Sequence, residues 1–195
     1  LIKAPLEEIQ QKENLSEESQ ANMLTAMKNV DTLLRLTTNL INFSKANVYS
    51  SSLRISEHEL NTYMEGICHA FYSYAEAKQI KLDYKSNFEY QNVWFDKEKM
   101  DSITKNLISN AIKYTPAHGE VHIIICHDKD NWSLEITDTG IGIPAKEQKK
   151  LFKLHFRGSN AINAKITGSG IGLMLVWKLV RIHKGKISIE SVENK

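Results

Sequence analysis

The stretch from Ser16 to Val48 restricts the fold of this chain more than any other. It contains no glycine and no proline, and its only aromatic residue is Phe43. Met23, Met27, Val30, Leu34, Thr37, Ile41, Ser44 and Val48 follow one another in steps of four and three, a heptad seam on one long helix. A second row of Ala26, Leu33, Leu36, Leu40 and Phe43 lies beside it. At about 100° per residue the two rows cover roughly 200° of the helix surface. Lys28, Asp31, Thr32, Arg35, Thr38, Asn39 and Asn42 fill the remaining arc. A single helical neighbour needs only a narrow stripe, so this width predicts at least two neighbours. Residues 1–12 supply one short helix, joined through Asn14, Leu15 and Ser16. A hairpin of this size can hardly bury such a surface alone, whereas a four-helix bundle formed by two chains can. The plainer alternative is a hairpin packed on its own domain.

After Val48 the run Tyr49-Ser50-Ser51-Ser52 reads as a linker, and the pattern becomes mixed α/β. Ser56 with Glu59 three residues on has the form of a capping box and predicts a helix over 57–77. Ile80, Leu82 and Tyr84 alternate as in a half-buried strand, and Val93-Trp94-Phe95 forms a short second one. A helix over 97–114 stops before Thr115-Pro116. The β-rich runs 121–126 and 132–137 flank a polar turn and predict a hairpin. A last helix over 171–183 precedes a final strand through Ile187 and Ile189. Strands with helices between them argue for an α+β sandwich over 51–195, preceded by the helical hairpin of 1–50.

Composition narrows the function. Hydrophobic residues make up 42% and charged residues 25%, which is ordinary for a globular chain able to bury a core. A net charge of +2 gives no reason to expect a nucleic-acid partner. No apolar run approaches the roughly 18 residues of a membrane span, so no membrane contact is expected of this stretch. Two cysteines, Cys68 and Cys126, cannot make a disulfide framework and are expected to be reduced and buried. The chain starts at Leu1 with no initiator methionine and no signal peptide, as expected of a piece of something longer.

Three polar clusters carry chemistry. Asn106, Asn110 and Lys113, spaced four and three on the 97–114 helix, fall on one face beside Met100, Ile103, Leu107 and Ala111. An Asn carbonyl oxygen is a hard neutral ligand for Mg²⁺ and a lysine neutralises phosphate, so the row suits a phosphate site; a solvated helix edge would look the same. Asp138-Thr139-Gly140-Ile141-Gly142-Ile143-Pro144 follows a strand. Its glycines allow close backbone approach to a flat ligand, and its carboxylate can accept from an exocyclic amine. A tight surface turn, or the Asp-Thr-Gly of an aspartic protease, stays open on spacing alone. Thr167-Gly168-Ser169-Gly170-Ile171-Gly172-Leu173 opens the last helix, where unpaired N–H groups and the helix dipole favour an anion. It is neither a Walker A loop nor a Rossmann fingerprint. Between the last two clusters lie Lys146, Lys149, Lys150, Lys153, Arg157 and Lys165, with Phe152 and Phe156 interspersed. That basic segment reads as a lid over a polyphosphate or, more plainly, as a solvated amphipathic helix with a loop.

Taken in order, Asn106…Asn110-Ala111-Ile112-Lys113-Tyr114, Asp138-x-Gly140-x-Gly142, Leu151-Phe152-x-x-x-Phe156-Arg157 and Gly168-x-Gly170-x-Gly172-Leu173 resemble the N box, first glycine box, F box and second glycine box of sensor histidine kinases. Leu33, Leu40 and Phe43-Ser44 resemble the end of that family's dimerisation hairpin, and His183-x-Gly185 the close of its last helix. The resemblance implies a Bergerat-type ATP-binding α/β sandwich, a mixed sheet packed on helices, behind a hairpin that forms a dimeric four-helix bundle. It implies that Asn110 ligates Mg²⁺ on the ATP phosphates with Asn106 in support, and that Lys113 and Arg157 contact phosphate. Tyr114 would pack beside the nucleotide, Asp138 would accept the adenine amino group, and Gly140 and Gly142 would leave room for the ring. Gly168, Gly170 and Gly172 would let the lid and helix terminus meet the phosphates; Ile143, Phe152, Ser169 and Leu173 complete the nucleotide-facing set.

Three positions depart from the family pattern: His155 replaces an aromatic, Ile171 the commoner leucine and Lys184 a glycine. Related ATPases such as gyrase and the heat-shock chaperones carry a glutamate where this chain has Asn106. A neutral carboxamide cannot take a proton from attacking water, so slow hydrolysis is expected, with the γ-phosphoryl kept for a histidine. None of the seven histidines lies in 1–50; the resemblance implies that the acceptor precedes the segment like residues 1–6 and would lie upstream of Leu1. The implied setting is a cytoplasmic core of a membrane-anchored parent, homodimeric through 1–50. It would serve a response-regulator receiver domain, separate or fused. The alternative is a catalytically silent ATP-binding relay module.

Overall fold

The computed structural model describes residues 5, 6, 8, 9, 15–48, 52–128, 131–153, 156, 158–164, 166 and 170–193, with only the backbone described at 35, 36 and 38–48. The chain divides into two compact units, residues 1–45 and 46–195.

In the first unit Pro5, Leu6, Glu8 and Ile9 are helical. Helix α1, Glu17–Val48, dominates the unit and runs on past its boundary. Ser16 opens it by accepting the Ser19 N–H on its hydroxyl at 3.2 Å, which satisfies one of the donors a helix start leaves unpaired. Thr25, Thr32 and Thr37 return their hydroxyls to carbonyls four residues back, so they hold their places without a neighbour. Leu24, Leu33 and Leu34 are 57%, 61% and 56% exposed. The expected pairing of two hairpins in a bundle is not seen in this single chain.

The second unit runs β1 (Ile55–Glu59), α2 (Leu60–Ala77), β2 (Lys81–Ser86), β3 (Asn92–Asp96), α3 (Lys97–Tyr114), β4 (Glu120–Asp128) and β5 (Asn131–Asp138). It continues through the short α4 (Ala145–Gln148) and α5 (Ser159–Asn163) to α6 (Gly172–Ile182). Strand β1 pairs antiparallel with β3. A mixed sheet has the order β2-β4-β5, with β2 and β4 parallel and β4 and β5 antiparallel. Val121, Ile123 and Ile125 of β4 are fully buried while His122, Ile124 and Cys126 face the other way, the period-two pattern of a sheet covered on one side. Leu60, Met64 and Cys68 of α2, Ile103, Ile108 and Ile112 of α3, and Leu175, Val176 and Leu179 of α6 complete that core. The α+β architecture, a mixed sheet packed on helices, is the expected one.

Two expected elements differ. Ser56 does not cap a helix; residues 55–59 form β1 and the helix starts at Leu60. Glu59 is itself the cap, its carboxylate accepting from Asn61 N at 3.0 Å and Thr62 N at 2.6 Å. The alternation at Ile187 and Ile189 forms no strand, since 185–190 enters no ladder among the described residues. Both side chains are half-buried there, and Ile187 packs against the core. A segment outside any ladder thus meets the same alternation. Cys68 is buried as expected, but Cys126, on the outer sheet face, is only partly so.

Candidate functional site

Helix α3 carries the first cluster because it is held at both ends. Asp96 caps its start, accepting the Lys99 N–H at 3.1 Å. Thr115 ends it in extended backbone, as its position before Pro116 demands. With Met100, Ile103, Ile108 and Ile112 in the core, Asn106, Asn110 and Lys113 come to the half-buried margin. Asn106 donates its amide N–H to the Ser102 carbonyl at 2.7 Å, which turns its oxygen outward. That oxygen would lie 2.7 Å from a Cβ built on Gly172, and the Asn110 amide nitrogen 4.0 Å from it. The first residue of α6 therefore rests on both carboxamides, and a side chain there would displace Asn106. The N-cap position of α6 holds Ile171, whose side chain offers no acceptor to the helix's first N–H groups.

The second cluster closes on the last residue of α3. The Asp138 carboxylate accepts the Gly140 N–H at 2.9 Å. A Cβ on Gly140 would meet the Tyr114 carbonyl oxygen at 2.8 Å, and that same carbonyl accepts the Ile141 N–H at 3.2 Å. Glycine is required at 140 for this backbone contact. Surrounding protein desolvates Asp138 and raises its carboxyl above the usual carboxylate range, partly offset by the Gly140 N–H, although the side chain stays open to solvent. The Lys113 ammonium lies 3.2 Å from the Tyr114 hydroxyl and 4.6 Å from that ring's centroid. Gly142 has φ +62° and lies against the backbone of Val192 and Glu193 rather than against other residues of the cluster.

The segment between the glycine clusters is tied to the first of them. Asn160 of α5 donates its amide to the Gly142 carbonyl at 2.8 Å and the Ile141 carbonyl at 3.3 Å. Gln148 reaches the Ile143 carbonyl at 3.1 Å and the Ser191 carbonyl at 2.8 Å, while Glu147 accepts the Ser159 N–H at 3.0 Å. Ile143, Phe152 and Leu173 are half-buried, and Lys146, Lys149, Lys150 and Lys153 are exposed. Gly170 has φ +69°. Arg157, Gly168 and Ser169 lie outside the described residues, as do His155, Lys165 and Thr167. Glu147, Gln148 and Asn160 were not among the residues the motifs pointed to. They bond backbone carbonyls and amides, an interaction that leaves no motif.

Two carboxamides of α3 thus meet the start of α6, and a carboxylate and glycine turn meets the end of α3. Residues 95–195, just over half of the chain, match the family described as histidine kinase-, DNA gyrase B- and HSP90-like ATPase, and the chain belongs to that family. Its relatives are histidine kinases: histidine kinase P4 of Formosa agariphila is 28% identical over 97% of this chain and 14% of its own length. Among solved structures, full-length ShkA in complex with AMPPNP superposes with a TM-score of 0.72 at 19% identity, covering 92% of this chain and 38% of that one. Histidine kinase ThkA in complex with the response regulator TrrA gives 0.62 at 22% identity, covering 80% and 46%. These two likenesses concern the fold. The chain spans less than half the length of its curated relatives, for example 42% of the adaptive-response sensory kinase SasA of Rippkaea orientalis. No helix among the described residues is long and apolar enough to cross a membrane.

Proposed function

We propose that this chain binds ATP with Mg²⁺ and is the catalytic core that transfers the γ-phosphoryl to a histidine. The observation that carries this reading is the meeting of Gly172 with Asn106 and Asn110 in the C-terminal half of α3, while Gly140, bonded by Asp138, closes on Tyr114 at the last residue of the same helix. These donors fit the ligand. Asn110, with Asn106 beside it, would hold the ion, which when bound neutralises phosphate charge. Lys113 adds a second positive charge, Asp138 offers an acceptor to the adenine amine, and the start of α6 favours an anion. Arg157, Gly168, Gly170 and Ser169 belong to the same proposed set by motif. The AMPPNP complex of ShkA supports a nucleotide in this fold.

Transfer would form an N–P bond to a neutral imidazole nitrogen as the bond from the γ-phosphorus to its bridging oxygen breaks, releasing ADP; the imidazole proton passes to solvent. With a carboxamide at Asn106, no side chain at that position takes a proton from water, so hydrolysis is slow. The acceptor histidine, the homodimer through 1–50, a receiver domain as the next acceptor and a cytoplasmic setting in a membrane-anchored parent all belong to this proposal. The ThkA–TrrA complex supports the receiver.

Titration calorimetry with AMPPNP and Mg²⁺ tests it. Binding is expected in the wild-type chain. Asn110→Ala and Asp138→Asn are each expected to weaken it at least about tenfold, the size of one lost charge-assisted contact. A wild-type chain with no affinity, or variants that bind equally well, would overturn the reading. Label from γ-labelled ATP should then appear on an added dimerisation-helix fragment that carries the histidine.

A further inference from the structure

The end of α3 is completed by a residue from another helix. Among the carbonyls of its last turn, Ala111 accepts the Thr115 N–H at 3.1 Å and the Thr115 hydroxyl at 2.8 Å, and Tyr114 accepts the Ile141 N–H. The remaining three converge on one amine. Lys78 donates from Nζ to the carbonyls of Ile112 at 2.7 Å, Lys113 at 3.2 Å and Thr115 at 3.3 Å. An ammonium has three protons, and three acceptors at the negative end of a helix match it in number and sign.

We propose that Lys78 is a positioning residue of the nucleotide site, holding the backbone of residues 112–115 so that Lys113, Tyr114 and the Tyr114–Ile141 joint present their groups to the ligand. The inference rests on the nucleotide reading above. Lys78 sits at the C-cap of α2, in the part of the chain that precedes the matched family region. It acts through the carbonyls of residues that carry ligand-facing side chains. Burial lowers the pKa of the amine, which fits a group enclosed by backbone rather than left in solvent. Without it, the carbonyls of Ile112, Lys113 and Thr115 lose this ammonium, the last turn loosens, and the tyrosine that Gly140 packs against moves with it.

The test uses the full chain and two readouts. Lys78→Met keeps the length of the stem and removes the donors. Calorimetry is expected to show affinity for AMPPNP and for AMP reduced alike, by about tenfold, the cost of losing bonds from a charged donor. Lys78→Arg, which keeps a cation and several donors, should recover most of that loss. Hydrogen exchange without nucleotide should show faster exchange at Thr115 and Ile141 with unchanged protection at Val121, Ile123 and Ile125. The inference is overturned if Lys78→Met binds within about twofold of wild type, or if β4 loses protection as much as residues 115 and 141, which marks a general loss of stability. If Lys78→Met does not fold, Lys78→Gln carries the same comparison with an intermediate loss expected. A wild-type chain that fails to bind AMPPNP defeats the nucleotide reading instead, and the exchange measurement still decides whether Lys78 holds the joint.

Discussion

Gln79 and Lys184 have backbone φ of +57° and +60°, the left-handed region that favours glycine. Each follows a helix C-cap and closes it in the same way. After α2, Ile80 N–H bonds the Ala75 carbonyl and Gln79 N–H the Glu76 carbonyl; after α6, Gly185 N–H bonds Val180 and Lys184 N–H bonds Arg181. These are paired Schellman closures with a side chain where glycine costs nothing. The left-handed conformation costs a side-chain-bearing residue about 1 kcal/mol. Glycine returns several tenths of that through its freer unfolded chain. Gln79→Gly and Lys184→Gly are each expected to stabilise the chain by about 0.5 kcal/mol, a rise of about 1–2 °C in Tm by calorimetry. A fall in Tm for both would show that these closures carry no strain. Lys184 already stands out in the sequence as a departure from the family's glycine, but only the dihedral angle says what the departure costs. Gln79 gives no such signal, because a helix end is legible from glycine and silent when another residue takes its place.

Elements are joined through Asp96, which is 2% exposed. Its carboxylate caps α3 at Lys99, accepts the Arg54 N–H at 2.9 Å at the start of β1 and pairs with the Lys99 ammonium. Its own N–H donates to His183 Nε2 at 3.3 Å, while His183 Nδ1 lies 2.9 Å from the Leu179 carbonyl, which requires the proton on Nδ1. The first strand, the helix of the N box and the last helix thus meet at one residue. Burial alone would raise the Asp96 carboxyl, but the bonds from Lys99 and Arg54 outweigh it and hold it below the usual range. Asp96 therefore contributes stability above its unfolded pKa, and that contribution is lost as pH falls through the lower folded value. Asp96→Ala is expected to cost about 3 kcal/mol at pH 7, since it strips a helix cap and leaves a partner charge. The gap between wild type and variant in denaturant titrations should shrink as pH drops below about 4. A gap that is constant with pH would assign the effect to packing. The boundaries of α3 were legible because Pro116 stops it locally. Strand β1 was not, because Ser56 and Glu59 imitate a capping box and only pairing with β3, decided 33 or more residues away, shows otherwise. The glycine and asparagine clusters of the site were legible for the same local reason. Lys78 and Asn160 were not, since they act on distant carbonyls that any residue supplies.

At the scale of the molecule, α1 carries exposed leucines. Leu33 and Leu34 are each more than half exposed, Leu33 on the second apolar row and Leu34 on the heptad seam that also carries Met27 and Val30. Fully burying a leucine is worth about 2 kcal/mol, so Leu33 and Leu34 from each of two chains give a dimer a gross gain of about 8 kcal/mol before association costs. A second copy of the same helix offers the same stripe, and a two-fold axis lets each stripe cover the other. The wild-type chain is therefore expected to sediment as a dimer at micromolar concentration. Leu34→Asp, which sets a carboxylate and its twin near the axis, should shift it to monomer. AMPPNP affinity should not change in that variant, because every residue of the proposed site that the structure describes lies in the unit of residues 46–195. A monomeric wild type would return the broad apolar face to packing within one chain. Loss of nucleotide binding together with the dimer would mean instead that the site is completed only when two chains meet.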